Sequence, residues 1–279
     1  MIKSFCKVNL SLRVLKKLKT GLHDIQSNTL LLDFYDVIKI YKLKKNQDVA
    51  IFKGKFKKLI NRSKNSVLQA LSILRINGLV RKEDRYKIVI NKRIPVFAGL
   101  GGGTSNAAFL IKHFTKNKTN NSILGIFEKK IGSDLRFFFN KQTYQKNLKK
   151  FKKYKKNFTF YFVLIYPNIE CSTKKIYSRV KQCSPSFKID MSKITSKKKF
   201  IHLIRKDRND LEKIVISEFP ILKTVINFIS IQEGCYLSRM TGSGSVCFGI
   251  FRSRKLAILA LGRIKKKFPR YRCVLSKTV

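Results

Sequence analysis

Four glycines within five residues, in Gly99-Leu100-Gly101-Gly102-Gly103, run directly into Thr104-Ser105-Asn106-Ala107-Ala108. Glycine lets backbone come close to an anion and adopt positive φ without strain. A helix starting near Thr104 or Ser105 would aim its unsatisfied N–H groups, and the positive end of its dipole, at the same point. A surface loop or a tight strand-to-helix connection is the plainer reading. The immediate apolar helix signal (Ala107, Ala108, Leu110, Ile111) favours a phosphate cradle instead, with Pro95-Val96-Phe97-Ala98 leading into it. The chain has no GxxxxGK[ST] and no GxGxxG, so this is neither a Walker loop nor a dinucleotide fingerprint.

Two further segments carry groups that phosphoryl transfer requires. Lys7-Val8-Asn9-Leu10-Ser11-Leu12 offers an ammonium beside an amide, and Gly132-Ser133-Asp134-Leu135-Arg136-Phe137-Phe138 offers a carboxylate in a small-residue turn. Transfer to an alcohol needs a cradle for the triphosphate, a cation against developing charge and a carboxylate to take the hydroxyl proton. Each residue also has a plainer role. Asp134 suits a turn or a helix cap, Lys7 is one of many lysines, and Asn9 could bond to a neighbouring loop. A fourth segment, Met240-Thr241-Gly242-Ser243-Gly244-Ser245-Val246-Cys247, reads as a hairpin turn whose small residues would admit a ligand closely.

The elements that must position these groups are legible in outline. Cys6, Val8, Leu10, Leu12 and Val14 alternate with Lys7, Asn9, Ser11 and Arg13, which predicts a half-buried strand. Lys7 and Asn9 then project together from its polar face, about 7 Å apart. Gly21 to Asp24 reads as a turn before an apolar stretch to Leu32, and Asp33 to Asp36 as a second turn before a strand at Val37 to Tyr41. A helix is expected over Asn65 to Leu74, capped by Ser63 or Asn65. Tyr86 to Asn91 leads as a strand into the glycine loop. The helix after the loop is expected to end near Phe114, and another covers Ile123 to Lys130. The aromatic run after Asp134 reads as a strand. Lys146 to Lys156 marks either a passage between two halves or, from Leu148, Phe151 and Tyr154, a solvated helix face. Phe158 to Tyr166 suits a central strand buried on both faces. Helices over Asp210 to Glu218 and Pro220 to Gln232 precede a hairpin (Cys235 to Ser238, Val246 to Phe251), and a helix over Lys255 to Phe268 follows it. The mixture lacks strict βα alternation, which favours an α+β class.

The sequence has 279 residues, 44% of them hydrophobic, and a formal charge of +47. No apolar segment approaches the length needed to span a bilayer, and the N-terminus carries no signal-peptide pattern. The six cysteines form no CxxC pair and lie near no histidine set, which points to reduced thiols in the cytoplasm. The lysine excess runs along the whole chain, with 22 phenylalanines and no tryptophan. That pattern fits base-composition bias better than selection for a specific nucleic acid, although the field would gather an anionic substrate.

In order and spacing these segments resemble the GHMP-type small-molecule kinases over nearly the full length. The likeness is strongest to the branch acting on cytidine-diphosphate-linked methylerythritol in non-mevalonate isoprenoid precursor biosynthesis. Its carriers are Lys7 to Leu12, Gly21-Leu22-His23-Asp24-Ile25-Gln26-Ser27, Leu32 to Asp36, Pro95 to Ala108, Gly132-Ser133-Asp134, Ser172-Thr173-Lys174, Asn209-Asp210-Leu211-Glu212 and Thr241 to Gly244. The resemblance implies a two-domain fold, residues 1–155 and 156–279, with an interdomain active site. It implies ATP-dependent phosphorylation of the substrate's 2-hydroxyl, with Asp134 as base and Lys7 as its cationic partner. Pro95, Val96, Phe97, Ala98, Gly99, Leu100, Gly101, Gly102, Gly103, Thr104 and Ser105 would wrap the ATP phosphates, and Asn65 would lie near adenine. Asn9, His23, Asp134, Tyr177, Thr241 and Gly242 would bind the alcohol substrate. Mg²⁺ would accompany ATP, with Ser105 as its candidate protein ligand. Two departures stand out: Leu22 where an aromatic usually meets cytosine, and Arg136 where a proline usually follows the catalytic turn. The alternatives are a homoserine- or mevalonate-type kinase of the same superfamily, or an inactive basic RNA-binding relative.

Overall fold

The alternation at the N-terminus builds β1 (Ile2–Lys17), which pairs with β2 (His23–Leu43) in a computed structural model describing residues 1–57, 60–61, 65–190 and 193–279. β1 is not half-buried: Lys7, Asn9, Ser11 and Arg13 are as inaccessible as the apolar residues between them. Alternation gives the two faces of a strand but not their exposure. The polar face is buried because its groups find partners, such as Asp134 for Lys7 and Asp207 for Arg13. The turn expected at Asp33 to Asp36 is also absent. β2 runs straight through it, since Phe34 enters the core and Asp36 meets bonding partners there.

The chain forms two units, each discontinuous in sequence. The first comprises Met1–Lys7, Phe34–Val96 and Gly101–Asn140. In it β4 (Arg85–Asn91) pairs antiparallel with the second half of β2 and parallel with β3 (Val49–Lys53). Helix α1 (Ser66–Ile76) starts on Asn65, whose side chain accepts from Val67 and Leu68 N–H; the other expected cap, Ser63, lies outside the described residues. α2 (Gly102–Phe114) begins earlier than expected, inside the glycine run. α3 (Asn121–Ile131) follows, then a 3₁₀ helix (Ser133–Phe139) in place of the aromatic strand expected there. Its Leu135, Phe137 and Phe138 are all buried, a spacing that one tight helical turn satisfies better than an alternating strand.

The second unit comprises Val8–Asp33, Phe97–Leu100 and Lys141–Val279. The lysine-rich stretch 146–156 is neither a loose passage nor a helix. It contributes to a hairpin of β5 (Gln142–Asn147) and β6 (Lys150–Lys153), its turn closed by the Asn147 side chain accepting from Lys149 and Lys150 N–H. β5 pairs with the first half of β2. β7 (Tyr161–Tyr166) lies as expected inside a sheet, ordered β10 (Arg272–Lys277), β7, β9 (Cys247–Phe251), β8 (Cys235–Met240). α4 (Thr173–Ser178), α5 (Lys197–Lys206), α6 (Asp210–Glu218), α7 (Ile221–Ser230) and α8 (Arg254–Lys267) complete the unit. Val163, Ile165, Leu211, Val215, Leu222, Val225, Ile229 and Ile264 join one apolar core. No described helix is long and apolar enough to cross a membrane.

Candidate active site

Lys7 and Asp134, remote in sequence, meet within the first unit. The ammonium lies 3.3 Å from the carboxylate, its side chain 5% exposed while that of Asp134 is 35% exposed. A buried cation thus sits beneath a carboxylate that solvent and ligands can reach. The Lys7 stem passes Gly101 so closely that a Cβ there would stand 3.2 Å from Cγ and Cε, and 2.9 Å from the Phe138 ring. Gly101 also has φ +67 and caps α2 without any side-chain bond. The first N–H groups of α2 therefore have no side-chain cap, while Ser105 N–H already closes the helix on the Gly101 carbonyl. Gly103 is exposed and Thr104 half-buried.

The approach to this helix is fixed by a buried polar cluster that sequence reasoning did not assign. Asp36 pairs with the Lys92 ammonium and accepts from Arg93 N–H (2.7 Å), Ile94 N–H (2.8 Å) and Asn106 Nδ2 (3.0 Å). Lys92 also donates to Asn106 Oδ1 at 2.9 Å, so strand β2, the run into Pro95 and the first turns of α2 share one network. Burial lowers the Lys92 pKa, while Asp36 opposes that shift. The available signals were an aspartate closing an expected turn before Val37 and an asparagine beside two alanines. Across the cradle, Ser66 donates to the Gly103 carbonyl at 2.8 Å, which brings Asn65 and the start of α1 to its rim. Ser105 does not face the open side. It is fully buried, donating to the Phe5 carbonyl (2.5 Å) and bonded to the Ser4 hydroxyl (2.7 Å), which takes it away from the metal-ligand role.

In the second unit, residues 97–100 are fixed by backbone. Phe97 carbonyl accepts from Cys171 N–H and Ala98 carbonyl from Val246 N–H. Phe97 is half exposed, whereas Ala98 and Leu100 are buried. Gly99 has φ +77, and a Cβ on it would lie 2.2 Å from the Thr241 carbonyl oxygen. Asn9 N–H donates to Thr241 Oγ1 (2.9 Å), and the Asn9 amide donates to Ser27 and Thr29. Both side chains are fully buried, so they hold the turn from beneath. Gly242 is buried too, its carbonyl accepting from Asn209. Asn209 also caps α6, and Glu212 accepts from Met240 N–H at 2.7 Å, its pKa raised by burial. The Asn-Asp-Leu-Glu segment therefore works as a scaffold for the hairpin turn.

His23 and Tyr177 also come together, ring centroids 5.2 Å apart and tilted by 32°. Partial burial and the nearby Lys17 charge lower the imidazole pKa, leaving it neutral near pH 7 with one donor and one acceptor nitrogen. Leu22, next to His23 in sequence, is exposed.

The 4-diphosphocytidyl-2-C-methyl-D-erythritol kinase of Pelagibacter ubique is 34% identical over 286 residues, covering all of this chain and 98% of its own. The chain belongs to that kinase family. The family described as GHMP kinases C terminal matches residues 193–270. Among solved structures, a 4-(cytidine 5'-diphospho)-2C-methyl-D-erythritol kinase aligns with TM-score 0.73 and 22% identity, over 99% of this chain and 98% of its own. Homoserine kinase from Cytophaga hutchinsonii aligns with TM-score 0.70 and 16% identity, over 100% and 96%. The α+β GHMP kinase fold is thereby shown. Both structures share it, so the fold alone does not choose the acceptor.

Proposed function

We propose that this kinase transfers the γ-phosphoryl group of ATP to the 2-hydroxyl of 4-diphosphocytidyl-2-C-methyl-D-erythritol, a step in non-mevalonate isoprenoid biosynthesis. The carrying observation is the half-open Asp134 carboxylate 3.3 Å from the buried Lys7 ammonium, in the unit that also holds the uncapped N-terminus of α2. Full-length identity to a relative named for that substrate supports the choice of acceptor.

Asp134 takes the hydroxyl proton as the substrate oxygen bonds to the γ-phosphorus, and the bond from that phosphorus to the β,γ-bridging oxygen breaks to release ADP. Lys7 opposes the charge that develops on the transferring group. Residues 95–105 wrap the phosphates, with backbone N–H groups supplied between Val96 and Thr104, and Asn65 lies at the adenine side. Neutral His23 and Tyr177 read cytosine through one polar edge and one aromatic face. Asn9, Thr241 and Gly242 shape the substrate wall by fixing its turn. Among the described residues no group of three or more His, Cys, Asp or Glu could hold a metal ion. Mg²⁺ accompanying ATP would neutralise phosphate charge. Along the sequence, residues 1–155 and 156–279 are read as the two kinase domains, the second containing the matched C-terminal segment, although the second compact unit draws on both stretches. Cytoplasmic residence fits the six free thiols.

The test is ADP release with ATP and Mg²⁺ in the presence of the cytidine-linked alcohol, homoserine or mevalonate, each offered separately. Turnover with the cytidine-linked alcohol alone is expected. Preference for either other acceptor, or release indifferent to acceptor, refutes the assignment.

A further inference from the structure

We propose that Arg136 is a positioning residue for Asp134, clamping the 3₁₀ helix that carries the carboxylate onto α3. The inference rests on Asp134 being the base. The chain joins α3 to this 3₁₀ helix through Gly132, at φ +137, where nothing lies within 4 Å of a Cβ position. The joint is held by backbone alone at this residue, Gly132 N–H on the Glu128 carbonyl and Leu135 N–H on the Gly132 carbonyl, while Leu135, Phe137 and Phe138 anchor the far side of the helix in the core. The Lys7 contact, at 3.3 Å to a carboxylate 35% exposed, is too long and too open to fix the orientation alone.

Arg136 adds a side-chain tie on the solvent side of the helix, the side that carries Asp134. Its Nε donates to Glu128 Oε1 at 2.6 Å, one terminal nitrogen to Asn121 Oδ1 at 2.8 Å and the other to the Asn121 carbonyl at 3.4 Å. Asn121 opens α3 and Glu128 lies two turns along it, so one planar fork grips the helix at both places. The Arg136 and Glu128 side chains are 19% and 18% exposed, which shields the pair from the screening that weakens surface ion pairs. From the other side, Lys112 of α2 donates to the Phe138 carbonyl at 2.9 Å and lies over the Phe109 and Phe139 rings. The segment bearing Asp134 is thus tied to two helices. Misplacing a reacting group by about 1 Å can cost about a hundredfold in rate, so such ties matter to turnover.

The test compares kcat, both KM values and Tm for the unaltered enzyme, Arg136→Met, Arg136→Lys, Glu128→Gln and the Met/Gln double variant, with Asp134→Asn alongside. Arg136→Met is expected to lower kcat by about ten- to a hundredfold with both KM values nearly unchanged. Lysine should recover part of that loss, since it can meet Glu128 but cannot fork. The double variant should lose no more than Arg136→Met alone. Wild-type kcat in Arg136→Met, a fall in Tm without a fall in kcat, or strictly additive losses would overturn the clamp. Should Arg136→Met not fold, Glu128→Ala and Asn121→Ala each remove one side-chain grip and decide the matter by the same split. Full activity in Asp134→Asn would instead refute the base, whatever Arg136 does.

Discussion

The difference between a carboxylate that takes a proton and one that merely pairs with lysine lies in access, and Asp134 keeps a third of its side chain open above a covered ammonium. Lys7→Met should lower kcat by about 10²–10³-fold, the loss expected when a donor to developing charge is removed, with ATP affinity affected less. Gly99→Ala combines positive φ with a Cβ 2.2 Å from a backbone oxygen that no rotamer change can move. It should cost about 1–3 kcal/mol or more, seen as a lower Tm and weaker ATP binding. His23 offers a pH readout. Its pKa is lowered by burial and by Lys17, so the unfolded chain binds this proton near pH 6.5 while the folded protein binds it only at lower pH. The stability it contributes is present above pH 6.5 and is lost as pH falls towards the folded midpoint. A ring-proton NMR titration of His23 should centre below 6.5; a midpoint above it contradicts the assigned environment.

At the level of elements, the Asp36–Lys92–Asn106 cluster joins strand, loop and helix at the cradle. Asp36→Ala leaves the Lys92 ammonium buried without its charge partner and should destabilise by about 3–5 kcal/mol in chemical denaturation. Asp36 was also where sequence reading failed, since aspartate inside Asp-Phe-Tyr-Asp signals a turn until distant Lys92 and Asn106 are known to satisfy it. The same cause buried the polar face of β1: alternation is a local signal, whereas Asp207 opposite Arg13 is a long-range fact. Local patterns served well where packing agreed with them. Asn65 caps α1 as its position before an apolar periodic run suggests, and the run from Phe158 yields a central strand over Tyr161–Tyr166. The glycine loop was legible for a similar reason, because its chemistry is written in consecutive residues. Ser105 was not, because burial against Phe5 and Ser4 cannot be seen from the loop's own composition.

For the whole molecule, a formal charge of +47 acts on every anion that approaches. The Debye length falls from about 30 Å at 0.01 M salt to about 3 Å at 1 M. Raising salt should therefore raise KM for both anionic substrates while leaving kcat little changed, as expected for steering and not for chemistry. A basic RNA-binding relative without catalysis would show a steep salt dependence of RNA affinity and no turnover. The most direct measurement is single-turnover phosphorylation of the cytidine-linked alcohol by the intact enzyme and by Asp134→Asn, both saturated with ATP and Mg²⁺. The account predicts a phosphomonoester on the 2-hydroxyl and a rate lower by about 10²–10⁴-fold in the variant, with substrate binding retained. Equal rates in the two proteins would contradict it.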